Sequence, residues 1–333
     1  MKRQAGDIAV FLVALFVVFQ ASAYAQGDPA FGYALQRDIV YGQGIIAPDG
    51  KKVERDLRLD LYSPAKECGK PCPAVVYVHG GAHHRGGRMQ PPFRLDGAVH
   101  SRPEDYARLL APLGYSVFVV EYRLAPENPE PELKPGDANT VADLKAFITP
   151  TVFEATTRAR AAAGLKPLTT EADRLWLWKA GLAGAEDVKK AVDFIFRNAA
   201  KFNVDPARVA LGGHSAGGGI TLNVALGLRA PVAAIFPLSG PDIAFDHAAV
   251  AKFEKLPPTL LVYSQYDEHA QLEGLPGLVK LMKNADVDYE FAWVPGFPHF
   301  YPHNAPSLGD DGTRMSVGER IIRFLERTVG KDK

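Results

Sequence analysis

The residue with the clearest chemical potential is Ser215, which lies in the G-x-S-x-G sequence Gly213-His214-Ser215-Ala216-Gly217. An apolar run typical of a buried strand precedes it at residues 208–211, and a helical pattern follows at 220–228. In this strand–turn–helix context the motif is typical of a nucleophile elbow, where glycines permit a turn too tight for side chains. The motif alone is a weak signal, because glycine and serine are common residues. Its position between a strand and a helix supports the prediction that Ser215 attacks a carbonyl carbon.

A nucleophilic serine needs a base that takes its proton and an acid that orients the base. We predict Asp267 as the acid and His299 as the base, because each follows an apolar run, at 259–263 and 289–294. Serine, acid and histidine then occur in the chain order expected after a nucleophile elbow. Glu268 and His303 remain the alternative acid and base.

The sequence His79-Gly80-Gly81-Ala82 directly follows another apolar run. Glycine backbone there can aim N–H groups at an oxyanion that develops during carbonyl attack. We predict an oxyanion hole from the N–H groups of Gly80, Gly81 and Ala216. His79 is predicted to orient this loop through a hydrogen bond rather than to act as acid or base.

The elements that must position these residues alternate between strands and helices. Dense apolar runs typical of buried parallel strands lie at residues 75–78, 117–120, 208–211, 232–237, 259–263 and 289–294. Residues 57–61 alternate as in an antiparallel strand, and residues 185–202 and 314–328 have helical periodicity. The alternation predicts an α/β fold with a doubly wound sheet.

One region, residues 128–182, lacks strand signals. It begins with a Pro-rich stretch at 129–132 and continues with helical patterns at 141–148, 153–163 and 171–180. We predict a helical insertion that is either a lid over the site or a surface decoration. Trp176 and Trp178 cannot face the same side of a helix, so one is expected to be exposed or to touch substrate.

The first 25 residues have the three parts of a secretory signal peptide. Two basic residues precede a 12-residue apolar run at 8–19, and small residues matching A-x-A follow. Because the run is shorter than the ~20 residues that span a bilayer, we predict a cleaved signal (1–25) and a periplasmic or secreted domain (26–333). An uncleaved anchor is the alternative. In an oxidising compartment Cys68 and Cys72 are expected to form a local disulfide, with two free thiols as the alternative.

Composition excludes several classes of partner. The 333 residues contain 38 Lys+Arg and 38 Asp+Glu, and zero net charge argues against nucleic acid. Two cysteines cannot form a four-cysteine zinc site, and His83 and His84 lack the spacing of a metal motif. We predict no metal, no organic cofactor and no membrane span after signal cleavage, and make no prediction of oligomeric state.

Together these residues resemble the α/β-hydrolase superfamily, and within it the hormone-sensitive-lipase-like and acetyl-esterase-like carboxylesterases. Besides the two glycine motifs, the matching segments are Tyr122-Arg123-Leu124-Ala125-Pro126-Glu127 and Asp205-Pro206-Ala207-Arg208-Val209. The resemblance implies a mostly parallel eight-stranded sheet with helices on both faces. It also implies Ser215 as nucleophile, His299 as base and Asp267 as the orienting acid.

Two departures limit this resemblance. Ala82 stands where the family's loop has its third glycine, which is tolerable if only two N–H groups there point inward. The family's cap often lies between the strand after the nucleophile helix and the acid's strand, but residues 238–259 are too few for one. The extra residues lie at 128–182 instead, so the family's acyl-pocket residues cannot be transferred.

The resemblance, together with the predicted signal peptide, implies a secreted serine carboxylesterase that hydrolyses small carboxylic esters through an acyl-enzyme on Ser215. An amidase, peptidase or arylformamidase would use the same triad, because amides and esters share a tetrahedral intermediate. An acetyl or feruloyl esterase acting on polysaccharide is a further alternative. A non-catalytic binding protein with this fold is disfavoured, because all three triad members are present.

Overall fold

The computed structural model describes residues 32–66, 68, 70–91, 94–95, 98–141, 143–162, 164–242 and 245–330. The predicted signal peptide, residues 1–25, lies outside the described residues. The strands within them are β1 (Tyr33–Ile46), β2 (Val53–Pro64), β3 (Cys72–Val78), β4 (Arg94–Leu95), β5 (Ala98–Val99), β6 (Ser116–Val120), β7 (Pro129–Glu130), β8 (Val204–His214), β9 (Ala234–Leu238), β10 (Thr259–Tyr266), β11 (Tyr289–Pro298), β12 (Pro306–Gly309) and β13 (Arg314–Ser316).

The α-helices of the same residues range from one turn to 27 residues. They are α1 (Pro103–Leu110), α2 (Leu144–Phe147), α3 (Pro150–Ala162), α4 (Glu171–Arg197), α5 (Ala216–Leu222), α6 (His247–Val250), α7 (His269–Leu272), α8 (Leu275–Asn284) and α9 (Val317–Val329). A π-helical segment, Asn223–Gly227, continues α5. Among the described residues, no helix combines the length and the apolar character needed to cross a bilayer.

Eleven strands form one mixed sheet in the order β13-β12-β11-β10-β9-β8-β3-β6-β2-β1-β7. From β11 to β6 all neighbours are parallel, and the pairs outside this block are antiparallel. The predicted α/β fold is confirmed, but the expected count of eight strands is too low. The three additional strands, β7, β12 and β13, have two to four residues and lie at the edges. Such short segments carry too few residues for a recognisable period.

Every strand predicted from an apolar run is present, but the 14-residue strand β1 was missed. Most of its side chains are only partly buried, so its sequence has neither a dense apolar run nor clean alternation. Pairing with β2, interrupted by irregularities near Gln36 and Val40, determines its position. A strand defined by its partner leaves little signal in its own residues.

Helices cover both faces of the sheet, as predicted. Side chains alternate along β3, so that Val76 and Val78 enter one core and Val75 and Tyr77 the other. The first core is closed by residues of α4, α5 and α8, and the second by residues of α1 and α9. The β3 strand is therefore buried on both sides, which explains its uninterrupted apolar sequence.

The two helical patterns at 171–180 and 185–202 belong to one helix, α4, of 27 residues. Thr170 caps its N-terminus by accepting the N–H of Asp173. Gly181 and Gly184 interrupted the pattern because glycine weakens helices. A Cβ at Gly181 would lie 3.0 Å from the Phe147 ring, so the missing side chain permits close packing.

A buried ion pair joins α4 to the sheet. Arg123, which follows β6, has a fully buried side chain. Its Nη2 donates to Asp187 Oδ1 on α4 at 2.8 Å and to Glu186 Oε1 at 2.8 Å. Burial raises the pKa of Asp187 even though the guanidinium of Arg123 opposes the shift. The segment that resembled the hydrolase family at Tyr122–Glu127 therefore has a structural role.

We expect Arg123→Met to lower the free energy of unfolding by about 3–5 kcal/mol, because the substitution leaves Asp187 buried without its cation. Urea denaturation at pH 7 measures the change. The double variant Arg123→Met/Asp187→Leu should recover part of the loss. Arg58→Met is the matched control, since Arg58 pairs with Asp56 at a partly exposed site and should change stability by less than about 1 kcal/mol. Equal losses in the two single variants would contradict the prediction.

Cys68 and Cys72 form a disulfide bond, with the sulfur atoms 1.92 Å apart and the Cα atoms 5.6 Å apart. This confirms the predicted pairing. Cys72 is the first residue of β3, so the bond closes a short loop at the entry to a central strand. Its effect on stability should be small, because the loop that it closes is short.

Candidate active site

Ser215 occupies the tight turn between β8 and α5. Its backbone angles, φ 59° and ψ −121°, lie in a region that costs a non-glycine residue about 1–3 kcal/mol. A Cβ at Gly213 would lie 2.5 Å from the carbonyl oxygen of Val78, and one at Gly217 would lie 2.2 Å from it. The glycines are therefore required because β3 passes directly beside the turn.

The structure brings Ser215, His299 and Asp267 together in one hydrogen-bonded chain. His299 Nε2 lies 2.8 Å from Ser215 Oγ, and His299 Nδ1 lies 2.6 Å from Asp267 Oδ1. All three residues are more than nine-tenths buried. They follow three parallel strands, β8, β10 and β11, at the carboxyl edge of the sheet, where sites in open α/β sheets form. This geometry suits proton transfer from the serine to the histidine.

Several donors hold the Asp267 carboxylate. Ser239 Oγ donates to Oδ2 at 2.5 Å, and the N–H groups of Ser264 and Glu268 donate at 3.2 and 3.0 Å. Tyr301 contacts Ser239 in turn, with 3.1 Å between the two hydroxyl oxygens. The carboxylate is thus fixed in the orientation that accepts the His299 Nδ1 proton.

The electrostatic environment favours a basic His299. Burial alone would lower its pKa, but the charge and hydrogen bond of Asp267 outweigh burial and raise the pKa above its ordinary value of 6.5. Behind it, His214 Nε2 donates to the carbonyl oxygen of His299 at 3.0 Å. Burial holds the pKa of His214 well below its ordinary value, so this second histidine is neutral at pH 7 and supports the backbone.

The alternative acid and base lie in other roles. His303 Nδ1 is 2.9 Å from Ser101 Oγ, and its ring packs against Tyr106, away from Ser215. Glu268 contributes its N–H to Asp267, while its side chain lies in a cavity wall. The structure therefore places His299 in contact with the serine, and Asp267 in contact with the other ring nitrogen of His299.

The loop after β3 is held from behind by aromatic packing. The His79 ring stacks on Tyr122 at 4.3 Å between centroids, and its Nδ1 lies 2.8 Å from the carbonyl oxygen of Gly80. Burial lowers the pKa of His79 to about 4, so the ring is neutral. His79 thus orients the loop, as its position in the sequence predicted.

The backbone of this loop reaches the cavity beside Ser215 through Gly81 and Ala82. These two residues and Ala216 line the cavity. Gly80, by contrast, is not among the described lining residues. A Cβ added at this position would lie 2.8 Å from the carbonyl oxygen of His214. Donation by Gly80 remains a prediction. Ala82, which the sequence analysis treated only as a tolerated replacement, occupies the wall.

A cavity of about 250 Å³ opens over Ser215 and His299. The helical insertion contributes Phe147, Ile148, Val152, Ala155, Thr156, Arg158, Ala159, Leu177 and Gly181 to its lining. The insertion also has a small core of its own, formed by residues of α2, α3 and α4 together with Ala270. The sequence left open whether the insertion is a lid over the site or a surface decoration. In the structure, the insertion covers the site.

The two tryptophans of α4 face different neighbours, as the helical period required. Trp178 is buried and packs on Phe147 with 5.6 Å between ring centroids. Trp176 is half-buried and lies 5.3 Å from the His84 ring. Neither tryptophan is among the described residues that line the cavity. Trp176 therefore packs against the loop that carries Ala82 and not against the cavity.

Within the described ranges, no group of three or more His, Cys, Asp or Glu side chains is arranged to hold a metal ion. His84 is buried, with Nδ1 2.5 Å from the carbonyl oxygen of Ala82. His83 lines the cavity, and burial lowers its pKa to about 3. The adjacent histidines thus belong to the architecture of the loop after β3.

Known proteins resemble this chain in part of its sequence and in its fold. The family model described as BD-FAE matches residues 179–231, which include Ser215. Thermogutta terrifontis esterase 2 phosphorylated by paraoxon is 16% identical, with 89% of this chain and 91% of that chain covered and a TM-score of 0.51. The chain has the α/β-hydrolase fold. A hyperthermophilic esterase from Pyrobaculum calidifontis is 20% identical, covering 79% of this chain and 78% of that one, with a TM-score of 0.45. No curated protein sequence matches.

Within this α/β-hydrolase fold, sequence reasoning missed the support of the acid. Ser239 follows β9, with φ 46°, at the same carboxyl edge as Ser215 and Asp267. The segment Leu238-Ser239-Gly240-Pro241, a turn directly after a predicted strand, was the signal that could have identified it. Tyr301, two residues beyond His299, gave no comparable signal.

Proposed function

We propose that this protein is a serine carboxylesterase that hydrolyses small carboxylic esters through an acyl-enzyme on Ser215. The observation that carries the proposal is the continuous chain of hydrogen bonds from Ser215 through His299 to Asp267 at the base of a cavity. A structural protein has no need of a strained serine in contact with a histidine whose pKa is raised.

In the proposed reaction, Ser215 Oγ attacks the ester carbonyl carbon while His299 Nε2 takes the hydroxyl proton. Asp267 stabilises the imidazolium that forms. The oxyanion rests on backbone N–H groups, for which we propose Gly80, Gly81 and Ala216, with Ala82 as a further donor from the cavity wall. Collapse of the intermediate breaks the ester C–O bond, and His299 gives its proton to the departing alcohol. Water then attacks the acyl-enzyme with His299 as base, releasing the acid and restoring Ser215.

The dimensions of the cavity support small substrates. Its volume of about 250 Å³ is below the ~300–1,000 Å³ typical of pockets for drug-sized ligands. Apolar side chains such as Phe147, Ile148 and Leu177 form much of the wall contributed by the insertion. We therefore propose short esters, with one half of the molecule held under the insertion.

We also propose that the protein is exported and acts in the periplasm or outside the cell. The basic residues, the 12-residue apolar run and the small residues within positions 1–25 support this. The disulfide between Cys68 and Cys72 supports it independently, because such bonds persist mainly in oxidising compartments.

The direct test is covalent labelling of the purified mature chain by a fluorophosphonate, together with hydrolysis of p-nitrophenyl acetate. We expect stoichiometric labelling at Ser215 and loss of hydrolysis in proportion, because the phosphorus is attacked by the same activated oxygen. The structural neighbour named above is an esterase that paraoxon phosphorylates. Peptide mass mapping identifies the modified residue. Hydrolysis that survives full labelling, or labelling elsewhere, would reject the assignment.

A further inference from the structure

Besides His83, which belongs to the loop after β3, three neutral polar side chains line the cavity without any part in the proposed reaction. They come from separate elements: Thr156 from α3, Asn223 from the segment after α5, and Gln271 from α7. Their exposures are only 7%, 8% and 6%. The three residues are therefore buried, and they also border the cavity.

Of these three residues, Gln271 has a side-chain atom that is buried without a hydrogen-bond partner among the residues that the structure describes. The Oε1 atom of Gln271 is fully buried and unpaired. The large majority of buried polar side-chain atoms in proteins have a partner, so an unpaired one beside a cavity requires an explanation. An unpaired buried amide costs stability. Because Gln271 also lines the cavity, a rotation of its amide group would let a bound ligand supply the missing hydrogen bond.

The surroundings narrow the chemistry of that ligand. Val152 and Leu177 make neighbouring parts of the wall apolar. The charged lining residues, Arg85, Arg158 and Glu268, are less buried than the three polar ones. A charged substrate group placed at the polar residues would therefore lose water without meeting an opposite charge there. The complementary group is neutral and polar, on an otherwise apolar fragment.

We propose that Thr156, Asn223 and Gln271 recognise a hydroxyl group of the substrate, so that the protein prefers esters whose acyl or alcohol half carries a hydroxyl. This specificity rests on the proposed esterase function and deepens it. Amides and hydroxyls both donate and accept hydrogen bonds, and so does a substrate hydroxyl. The match holds whichever way the amide groups of Asn223 and Gln271 are turned.

The first experiment compares matched esters on the wild-type mature chain by pH-stat. The acyl series is methyl butanoate, methyl 3-hydroxybutanoate and methyl 3-methoxybutanoate, and the alcohol series is propyl acetate and 1,3-propanediol monoacetate. Each kcat/KM is divided by the alkaline hydrolysis rate constant of the same ester, which removes intrinsic reactivity. We expect the hydroxylated ester to be favoured about 10-fold in one series, the effect of pairing a buried amide. The methoxy ester, which only accepts, should lose most of this preference.

The second experiment removes the polar groups. Gln271→Met keeps side-chain length without the amide, and Thr156→Val keeps shape without the hydroxyl. We expect Gln271→Met to reduce the hydroxyl preference to about 1 and Thr156→Val to weaken it. Gln43→Met is the matched control, because Gln43 is exposed on β1 and should retain the wild-type preference. Thermal denaturation verifies folding, and Thr156→Val serves alone if Gln271→Met does not fold.

The outcomes separate this specificity from the catalytic function. If the wild type hydrolyses the simple esters but favours the hydroxylated ones by about 2-fold or less in both series, hydroxyl recognition is wrong and the esterase function stands. A preference that persists unchanged in folded Gln271→Met and Thr156→Val also overturns it. If no ester is hydrolysed and a fluorophosphonate does not label Ser215, the esterase function fails and this specificity with it.

Discussion

Ser215→Ala should lower kcat/KM for p-nitrophenyl acetate by about 10⁴–10⁶-fold, with the fold intact. The reason is chemical. His299 lies 2.8 Å from the serine oxygen, and without that oxygen neither proton transfer nor an acyl-enzyme is possible. Alanine tolerates the turn about as well as serine, so the circular dichroism spectrum and melting temperature should remain close to those of the wild type.

The control for Ser215→Ala is the same substitution at a serine outside the site. Ser63 lies on β2, on the antiparallel side of the sheet, and has no part in the proposed site. Ser63→Ala should keep the wild-type rate. Activity of Ser215→Ala within about 10-fold of the wild type would exclude the acyl-enzyme mechanism.

Asp267→Asn should lower kcat by about 10⁴-fold, because an amide can hold His299 in the wrong tautomer and cannot stabilise the imidazolium. The pH profile should change as well. In the wild type, activity rises as pH increases through the raised pKa of His299, since only the neutral imidazole accepts the serine proton. Without the Asp267 charge, burial dominates, the pKa of His299 falls, and the remaining activity reaches its plateau at lower pH.

The adjacent acid provides the comparison. Glu268 has a weaker electrostatic effect on His299 than Asp267 and does not contact its ring nitrogens. Glu268→Gln should therefore shift the profile slightly and reduce the rate far less than Asp267→Asn. Rates of p-nitrophenyl acetate hydrolysis from pH 5 to 9 decide which of the two residues is the orienting acid. A greater loss of activity in Glu268→Gln than in Asp267→Asn would show that Asp267 is not the orienting acid.

The positions of Ser215 and its glycines could be predicted because the constraint is local. Only a residue without Cβ fits beside the carbonyl oxygen of Val78, and that requirement is visible as a motif. Asp267 and His299 could be predicted because chain order and strand ends place them at one edge of a parallel sheet. Each of these inferences uses a pattern of a few adjacent residues.

Other features depend on partners that are distant in the chain. Strand β1 is defined by β2 and not by its own period. Ser239 supports Asp267 across 28 residues. The continuity of α4 through Gly181 and Gly184 depends on side chains of other elements packed against them. Periodicity and local motifs do not report such contacts, so the fold class could be predicted while the cavity wall could not.

The continuity of α4 also limits how a substrate can enter. One end of this helix contributes Leu177 and Gly181 to the cavity, and the same helix is tied to the sheet through Asp187 and Arg123. The part of the cavity wall formed by α4 is therefore held in place against the sheet. The other two insertion helices that line the cavity, α2 and α3, meet at Thr149, whose hydroxyl donates a 3.0 Å hydrogen bond to Glu273. The insertion side of the cavity is thus tied to the rest of the fold at two points, and we expect an ester to bind with little movement of α4.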